Sequence, residues 1–518
     1  MLHPAEIRLL FAARRAAAYA LVLAGPLLVG AWLLLLVLGD GDQAAQAGAI
    51  ADSSDRDEPP YQATGFKVGE VTPHTAIVWT RLTLRPRRNP SDGPRVTIRY
   101  LEGDASTSRR DQTVAAVDME HGVTVGDLRE AVPGVDGEVR VRYRARDGDS
   151  WQATPWQSVA PLGDFTRQVP LEGLSPATTY DLEVQSRGID GRAGATLTGH
   201  FRTAPAPDDA CRVSFGVSTG QGNDDQDCPE GFRMYPALRK LDVDFFVHTG
   251  DIVYYDQLAK TVDLARYHWQ RTYSWPTNVD FHRHVASYFM KDDHDTWVND
   301  CWPTMQTAYM HEFTFRQGQE IFVEQVPMGS STYRQCRWGR DLEVWLVEGR
   351  DFRSANNAPD GPEKTIWGAE QKDWLKRTLA ASDATFRVLI SPTPLVGPDR
   401  ANKRDNHANA AFRHEGQELR TFLAEQPGVV VICGDRHWQY FSVDPATGLR
   451  EYSCGPASDP HAGGWQEDDF RPEYHRFLRV AGGFLTVTAE RVDGQARLVL
   501  RFHDVDGKVE FEDVLSRS

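Results

Sequence analysis

The sequence predicts an α/β catalytic region set behind an all-β sandwich, with an apolar segment at the N-terminus. Three observations predict it. From Cys211 onward, short apolar runs of strand length alternate with segments of helical period, the signature of an α/β region. From Tyr61 to Pro207 only short alternating runs occur, separated by turn residues, which is the pattern of a sandwich. Two apolar runs far apart in the chain, Val243–Val247 and Val429–Cys433, both end in Gly-Asp. Open α/β sheets place their ligands at strand ends, so the two runs point to one shared site.

In chain order, Ala16 to Gly39 carry no charge and follow Arg8, Arg14 and Arg15. About 20 apolar residues cross a bilayer as a helix, and N-terminal arginines stay cytoplasmic. The expectation for 1–40 is a membrane anchor, or a secretory signal if the small-residue stretch Gln43–Ala51 is cleaved. The pair Arg14-Arg15 is compatible with a twin-arginine export signal, although a bare arginine pair is common. Everything beyond Asp40 then lies outside the cytoplasm, periplasmic or at the cell surface. Residues 41–60 are small, acidic and proline-tipped, and read as a linker.

Residues 61–207 are the expected β-sandwich. Its strands include Thr75–Trp79, Val96–Tyr100, Glu138–Tyr143 and Tyr180–Val184, and Ala-Pro-Ala-Pro at 204–207 closes it. Residues 208–518 are the expected catalytic domain. Its strands are Arg212–Val217, Val243–Val247, Leu342–Val347, Phe386–Ile390 and Val429–Cys433. Helices are expected at Phe232–Leu241, Gln257–Arg271, Gly368–Ala381 and Ala411–Glu425. The tail, Gly483–Val514, alternates again and reads as a pair or triplet of edge strands.

The 518 residues and 41% hydrophobic content suffice for a large core. A net charge of -16 argues against a basic nucleic-acid-binding face. Six cysteines show no CxxC spacing, which argues against a zinc knuckle. Cys211 with Cys228, and Cys301 with Cys336, are possible disulfides in an oxidising compartment. No P-loop motif appears.

The polar residues cluster at strand ends. Asp251 and Tyr254 follow Gly250, and in a helical first turn they would share a face. Carboxylate and phenolate are hard oxygen donors, suited to a highly charged cation. Asp435 and His437 are two apart after the second run and project to one side of an extended chain. Asp292-Asp293-His294-Asp295 with Asn299-Asp300 is the densest polar cluster, and such acids repel one another unless cations offset them. Glu348, Arg350, Asp351 and Arg353 follow another strand, where an arginine fork matches a phosphate. Asp405 to Asn409 fall in a long loop that can line a cleft. Gly216-Val217-Ser218-Thr219-Gly220 fits the serine nucleophile-elbow motif, but the next residues are polar and turn-rich rather than helical.

With these pieces assembled, the chain resembles the PhoD-like alkaline phosphatases, a branch of the calcineurin-like metallophosphoesterases. The resemblance runs from about Gly65 to the C-terminus. GFKVGEVTPHTAIVWTRL and GHFRTAPAP look like the opening and closing strands of that family's N-terminal Ig/fibronectin-like domain. HTGDIVYYD, DDHDTWVND, EGRDFR and GDRHW look like its catalytic blocks, in order. The resemblance implies a metallophosphoesterase β-sandwich flanked by helices, and a metal-dependent phosphatase or phosphodiesterase. It implies a multinuclear centre of iron with calcium, held by Asp251 as bridging ligand, Tyr254, Asn299, Asp435 and His437. Arg350 or Arg353 would hold the phosphoryl oxygens, and His294 would protonate the leaving alkoxide. The partners implied are a phosphate-ester substrate and, through the N-terminal segment, a membrane. The chain departs from the family pattern at three places, which bear on metal and substrate identity. Ser218 or Thr219 stands where a cysteine ligand is usual, Glu348 where an aspartate is usual, and Lys291 where a tryptophan is usual. Two other readings fit the same residues: a catalytically decayed, membrane-tethered binding protein, and an esterase acting through Ser218 or on another ester.

Overall fold

The computed structural model describes residues 58–101 and 111–517. The apolar segment expected at 16–39 lies outside the described residues. Among the described residues, no helix is long and apolar enough to cross a membrane.

Ten strands come first: β1 (Phe66–Gly69), β2 (Ala76–Arg81), β3 (Thr97–Tyr100), β4 (Val114–Asp118), β5 (Gly137–Ala145), β6 (Gln152–Ala153), β7 (Gln157–Val159), β8 (Thr166–Leu171), β9 (Thr179–Arg187) and β10 (Ala193–Arg202). They pair antiparallel with one another in three sheets, ordered β1-β2-β8, β10-β9-β5-β6 with β7 also on β5, and β3-β4. Strand β9 shows why: Tyr180, Leu182, Val184 and Ser186 point inward while the residues between them do not. Period-two alternation buries one face of a strand and leaves the other wet.

Thirteen further strands make two larger sheets. They are β11 (Val213–Ser218), β12 (Phe245–His248), β13 (Ala286–Phe289), β14 (Arg334–Trp338), β15 (Leu342–Leu346), β16 (Phe386–Ser391), β17 (Val429–Cys433), β18 (Gln439–Val443), β19 (Arg450–Cys454), β20 (His475–Arg479), β21 (Gly483–Val492), β22 (Gln495–Asp504) and β23 (Val509–Arg517). One sheet runs β13-β12-β11-β21-β22-β23, the other β14-β15-β16-β17-β19-β18-β20. Among the described residues, seven α-helices accompany them: α1 (Met234–Lys240), α2 (Tyr255–Leu258), α3 (Val262–Tyr273), α4 (Pro276–His282), α5 (Phe315–Gln325), α6 (Gly368–Ala381) and α7 (Arg413–Glu425).

The sheets share one core. Phe215, Phe245 and Leu485 of the first meet Trp338, Val344, Ile390 and Ile432 of the second. The Phe245 and Trp338 rings stack with centroids 4.5 Å apart. The opposite face of the second sheet, with Trp345, Leu389 and Val431, is covered by Leu375 and Leu379 of α6 and Leu419 and Leu423 of α7. On the first sheet, Phe246 is covered by Leu238 of α1 and by Phe281 of α4. Strands buried on both faces read as continuous apolar runs, which is why VVVIC and FRVLI were legible as strands. The early strands pack against this body through Trp79 and Gln168, whose side-chain N–H groups donate to the α5 carbonyls of Glu324 and Val323 at 2.8 Å each.

Three expectations need correction. The stretch Gln257–Arg271 is two helices rather than one, because Thr261 leaves helical geometry and caps α3 by accepting from the Leu264 N–H. The tail forms three strands, but β21 is interior: it pairs with β11 as well as β22, and its first seven residues are buried. All six cysteines are free thiols, so neither Cys211 with Cys228 nor Cys301 with Cys336 is bridged.

Candidate metal centre

Four strand ends meet at one place. After β12 the chain turns at Gly250, whose φ is +116°. A Cβ there would lie 2.7 Å from both the backbone nitrogen and the Cβ of Asp292. Only glycine therefore lets the loop after β12 close on the loop after β13. Asp251 follows in a left-handed conformation, φ +56°. It is not in a helix; α2 begins at Tyr255. Asp251 and Tyr254 still converge, with Tyr254 Oη 3.4 Å from Asp251 Oδ2.

Asp295 locks the two loops together. Its carboxylate accepts from the Asp251 N–H at 3.2 Å, the Ile252 N–H at 3.2 Å and the Asp292 N–H at 2.7 Å. Thr219, at the end of β11, does the same for the third loop. It donates to the Gly250 carbonyl at 3.3 Å and accepts from the Asp435 N–H at 3.2 Å. The Ser218 hydroxyl is fully buried and bonded to the Thr219 and Gly455 carbonyls. It faces backbone rather than a cavity, as expected of a strand-end turn with no helix after it.

The loops place Asp251, Asp293 and His294 within 4.8 Å of one another by their donor atoms, and likewise Asp251, Asp292 and Asp435. Asp251 belongs to both groups. His437 Nε2 lies 3.8 Å from Asp251 Oδ2 and 3.3 Å from Tyr254 Oη. A cavity of about 330 Å³ opens over them, lined by Asp251, Asp293, His294, Asn299, Asp435 and His437. Arg400 and Lys403 complete its wall.

Charge is unbalanced here in a way that calls for a cation. Asp251 Oδ1, Asp292 Oδ2 and Asp293 Oδ1 are buried without a hydrogen-bond donor. Such groups are normally paired or bound to metal. Burial, then Asp293, Asp292 and Asp295, push Asp251 well above the usual carboxylate range, although His294 pulls the other way. Burial pushes Asp295 up to about 7, against the three N–H groups it accepts. Burial also raises Asp293, but Arg350, His294 and Lys403 more than offset it and hold that group low. For His294, burial is outweighed by Asp256, Asp293 and Asp251, and the ring is held protonated well above pH 6.5. His437 is pushed down by burial and by the neighbouring His461, His294 and Arg436. A neutral imidazole is the ligand form. Orphaned carboxylate oxygens, a phenol and an imidazole fit a hard cation.

The arginines expected to face substrate do not reach the cavity. Arg350 is fully buried behind the carboxylates, donating to Asp292 Oδ1 at 2.5 Å and lying 3.7 Å from Asp293. Arg353 donates to the Asp405 carbonyl at 2.6 Å. Both serve as internal counter-charges and braces. The two departures at 291 and 348 prove to be each other's partner: Lys291 Nζ reaches Glu348 Oε1 at 2.6 Å and Asp351 Oδ1 at 2.5 Å. A lysine that replaces an apolar side chain in a buried position needs such acids, and Glu348 is long enough to meet it.

Sequence reasoning missed His461. Its Nε2 is 2.5 Å from Tyr254 Oη, its Nδ1 is 2.7 Å from Asp225 Oδ2, and its ring centroid is 4.2 Å from that of His437. Its context, SDPHAGG, carries no strand-end signal.

A β-sandwich flanked by helices gathers buried carboxylates and partly buried imidazoles at its strand ends, and with the family match that follows it is a metal-dependent phosphoester hydrolase. The family profile described as PhoD-like phosphatase matches residues 215–478, more than half of the chain, and the chain belongs to that family. The fold is similar to a solved structure of PhoD, with TM-score 0.65 and 15% identity over 89% of this chain and 90% of that one. It is also similar to purple acid phosphatase PPD1 from yellow lupin (Lupinus luteus) seeds, with TM-score 0.56 and 14% identity over 86% and 79%. No match to this chain was found among curated proteins.

Proposed function

We propose that the chain is an extracytoplasmic phosphohydrolase that cleaves phosphate mono- or diesters at this centre. Asp251, common to both candidate groups, would hold metal together with Asp292, Asp293, Asp435, His437, Tyr254 and Asn299. The expected metals are iron with calcium, since oxygen donors suit both and imidazole suits iron. Bound cations supply two things there, a lowered pKa for a coordinated water and neutralisation of phosphoryl charge.

The protein's own contribution follows from the geometry. Asp295 and Thr219 hold the ligand loops in register. Arg350 offsets the charge of Asp292 and Asp293 from behind. His294, whose Nδ1 lies 3.1 Å from Asp256 Oδ1, keeps a proton on the ring and delivers it from Nε2 to the departing alkoxide. Trp438, Gly463 and Gly464 close one side of the cavity. Residues 61–207 contribute packing and spacing, and the segment at 16–39 supports export or anchoring.

One observation carries this reading: three buried acids, Asp251, Asp292 and Asp293, each present an oxygen with no hydrogen-bond donor. It also weighs against a decayed site, since uncompensated buried carboxylates are strongly unfavourable. The test is elemental analysis with a screen of mono- and diesters on wild type, Asp251→Asn and His437→Ala. Wild type should carry stoichiometric metal, and both variants should lose turnover while staying folded. Wild-type rates in either variant, with metal content unchanged, would overturn the assignment.

A further inference from the structure

We propose that Arg400 is the residue that grips the substrate's phosphoryl oxygens, and that Glu451 is the positioning residue that holds its loop. The inference rests on the phosphoester-hydrolase reading above and names the group that reading leaves unassigned.

The cavity wall has two cationic side chains, Arg400 and Lys403. Lys403 is already engaged, 2.8 Å from Asp300 Oδ1 and 3.7 Å from Asp405 Oδ2. Arg400 is not engaged in the same way. Its Nε is buried without a hydrogen-bond acceptor, and its nearest acid, Asp399, is 3.7 Å away. Asp399 is itself occupied by the Arg400 backbone N–H at 2.7 Å, by Arg436 at 3.2 Å and by Asn406 at 2.7 Å. The guanidinium thus reaches the cavity with donors to spare, and its planar fork matches a phosphoryl group.

The surroundings fix where that fork points. The Arg400 guanidinium lies 5.5 Å from the Trp438 ring centroid, a cation–π distance. Gly464 closes over it with φ +98°, and a Cβ there would meet Trp438 Cζ3 at 3.0 Å and Arg400 Nη1 at 3.1 Å. Trp438 and the Gly464 backbone together wall the guanidinium.

The loop is built from the other side of the sheet. Glu451, on β19, is fully buried and next to β17 in register with Val431. Its carboxylate reaches across to the loop after β16. It accepts from the N–H groups of Leu395 at 2.6 Å, Val396 at 2.9 Å and Gly397 at 2.7 Å, and from the Tyr440 hydroxyl at 2.8 Å. Three consecutive amides held by one carboxylate leave the backbone little freedom. Arg400 lies three residues beyond the last of them.

The test uses the metal-loaded enzyme with p-nitrophenyl phosphate as substrate and inorganic phosphate as competitive inhibitor. Arg400→Ala should raise KM and the phosphate inhibition constant about 10- to 100-fold, the loss of one charge-assisted anion contact, with metal content unchanged. Arg400→Lys should recover part of it. Gly464→Ala should shift the same two constants in the same direction by displacing the guanidinium. Glu451→Gln, which keeps the shape and one acceptor, should raise KM more than it lowers kcat, and Glu451→Ala more so. Unchanged KM and phosphate inhibition in Arg400→Ala would overturn the proposal. A fall in thermal midpoint of the Glu451 variants with KM unchanged would reduce Glu451 to a structural role and remove it from the proposal. Lack of phosphatase activity in loaded wild type would instead defeat the phosphoesterase reading itself, so the two failures are distinguishable.

Discussion

Replacing His294 by alanine separates two roles that the geometry allows this ring. His294 lines the cavity, and Asp256 Oδ1 lies 3.1 Å from its Nδ1, which leaves Nε2 for the reaction. Its donor atom also lies within reach of Asp251 and Asp293, so it can instead be read as a ligand. A general acid contributes about 10²- to 10⁴-fold, or roughly 3–5 kcal/mol of barrier, when the leaving group needs its proton. p-Nitrophenolate needs little help, whereas an alkoxide needs most of it. His294→Ala should therefore lower kcat by about 10²- to 10⁴-fold on an alkyl phosphate, and by much less on p-nitrophenyl phosphate. Asp256→Asn keeps the ring but removes the strongest of the charges holding its proton. It should give a smaller loss with the same selectivity for alkyl substrates. The assay is steady-state kinetics on both substrates with metal content measured alongside. Equal losses on the two substrates, with metal released, would refute the acid role and leave His294 as a ligand.

Three further outcomes follow from the same geometry. Asp251→Asn should abolish turnover without unfolding the protein, as circular dichroism and elemental analysis can check. Removing metal should destabilise the protein more at pH 8 than at pH 5. Asp251 is pushed up and Asp295 sits at about 7, both above the unfolded value of about 3.9, so the stripped fold keeps their contribution at low pH and loses it as pH rises through about 7. Asp295 alone gives about 3 kcal/mol between pH 5 and 8, while Asp293 and Asp405, held low, titrate below that window. Thermal midpoints of stripped and loaded protein that run parallel from pH 5 to 8 would contradict this. Finally, Lys291→Met should cost about 3–5 kcal/mol by stranding Glu348 and Asp351. Adding Glu348→Gln should return part of it, and a urea-midpoint shift worth under about 1 kcal/mol for the single variant would show the triad to be dispensable.

Much of the framework was legible because burial on both faces writes itself into composition. VVVIC appears as β17 with the expected bounds, and Gly368–Ala381 as a helix with the expected bounds. The blocks around Asp251, Asp292–Asn299 and Asp435–His437 were visible as polar breaks after such runs, and they do meet at one cavity. The single long helix at 257–271 was misjudged because helical period alone does not reveal a cap at Thr261. The tail looked peripheral because alternation cannot say which neighbours a strand will take.

By itself the chain determined its strands, its helix-bearing segments and the acid-rich turns between them, since these depend on local pattern and on residues close in sequence. Only the tertiary structure decided which cations face the cavity. Arg350 and Arg353 sit in the more suggestive motif, yet they are buried behind the acids as counter-charges. Arg400 and Lys403, in a loop with no motif, reach the wall. The physical reason is that a side chain's role here depends on which charges and backbone groups other strands bring against it. Glu451 and Asp295 act on loops that sequence separates from them by tens of residues or by a turn alike, and no local pattern encodes that choice.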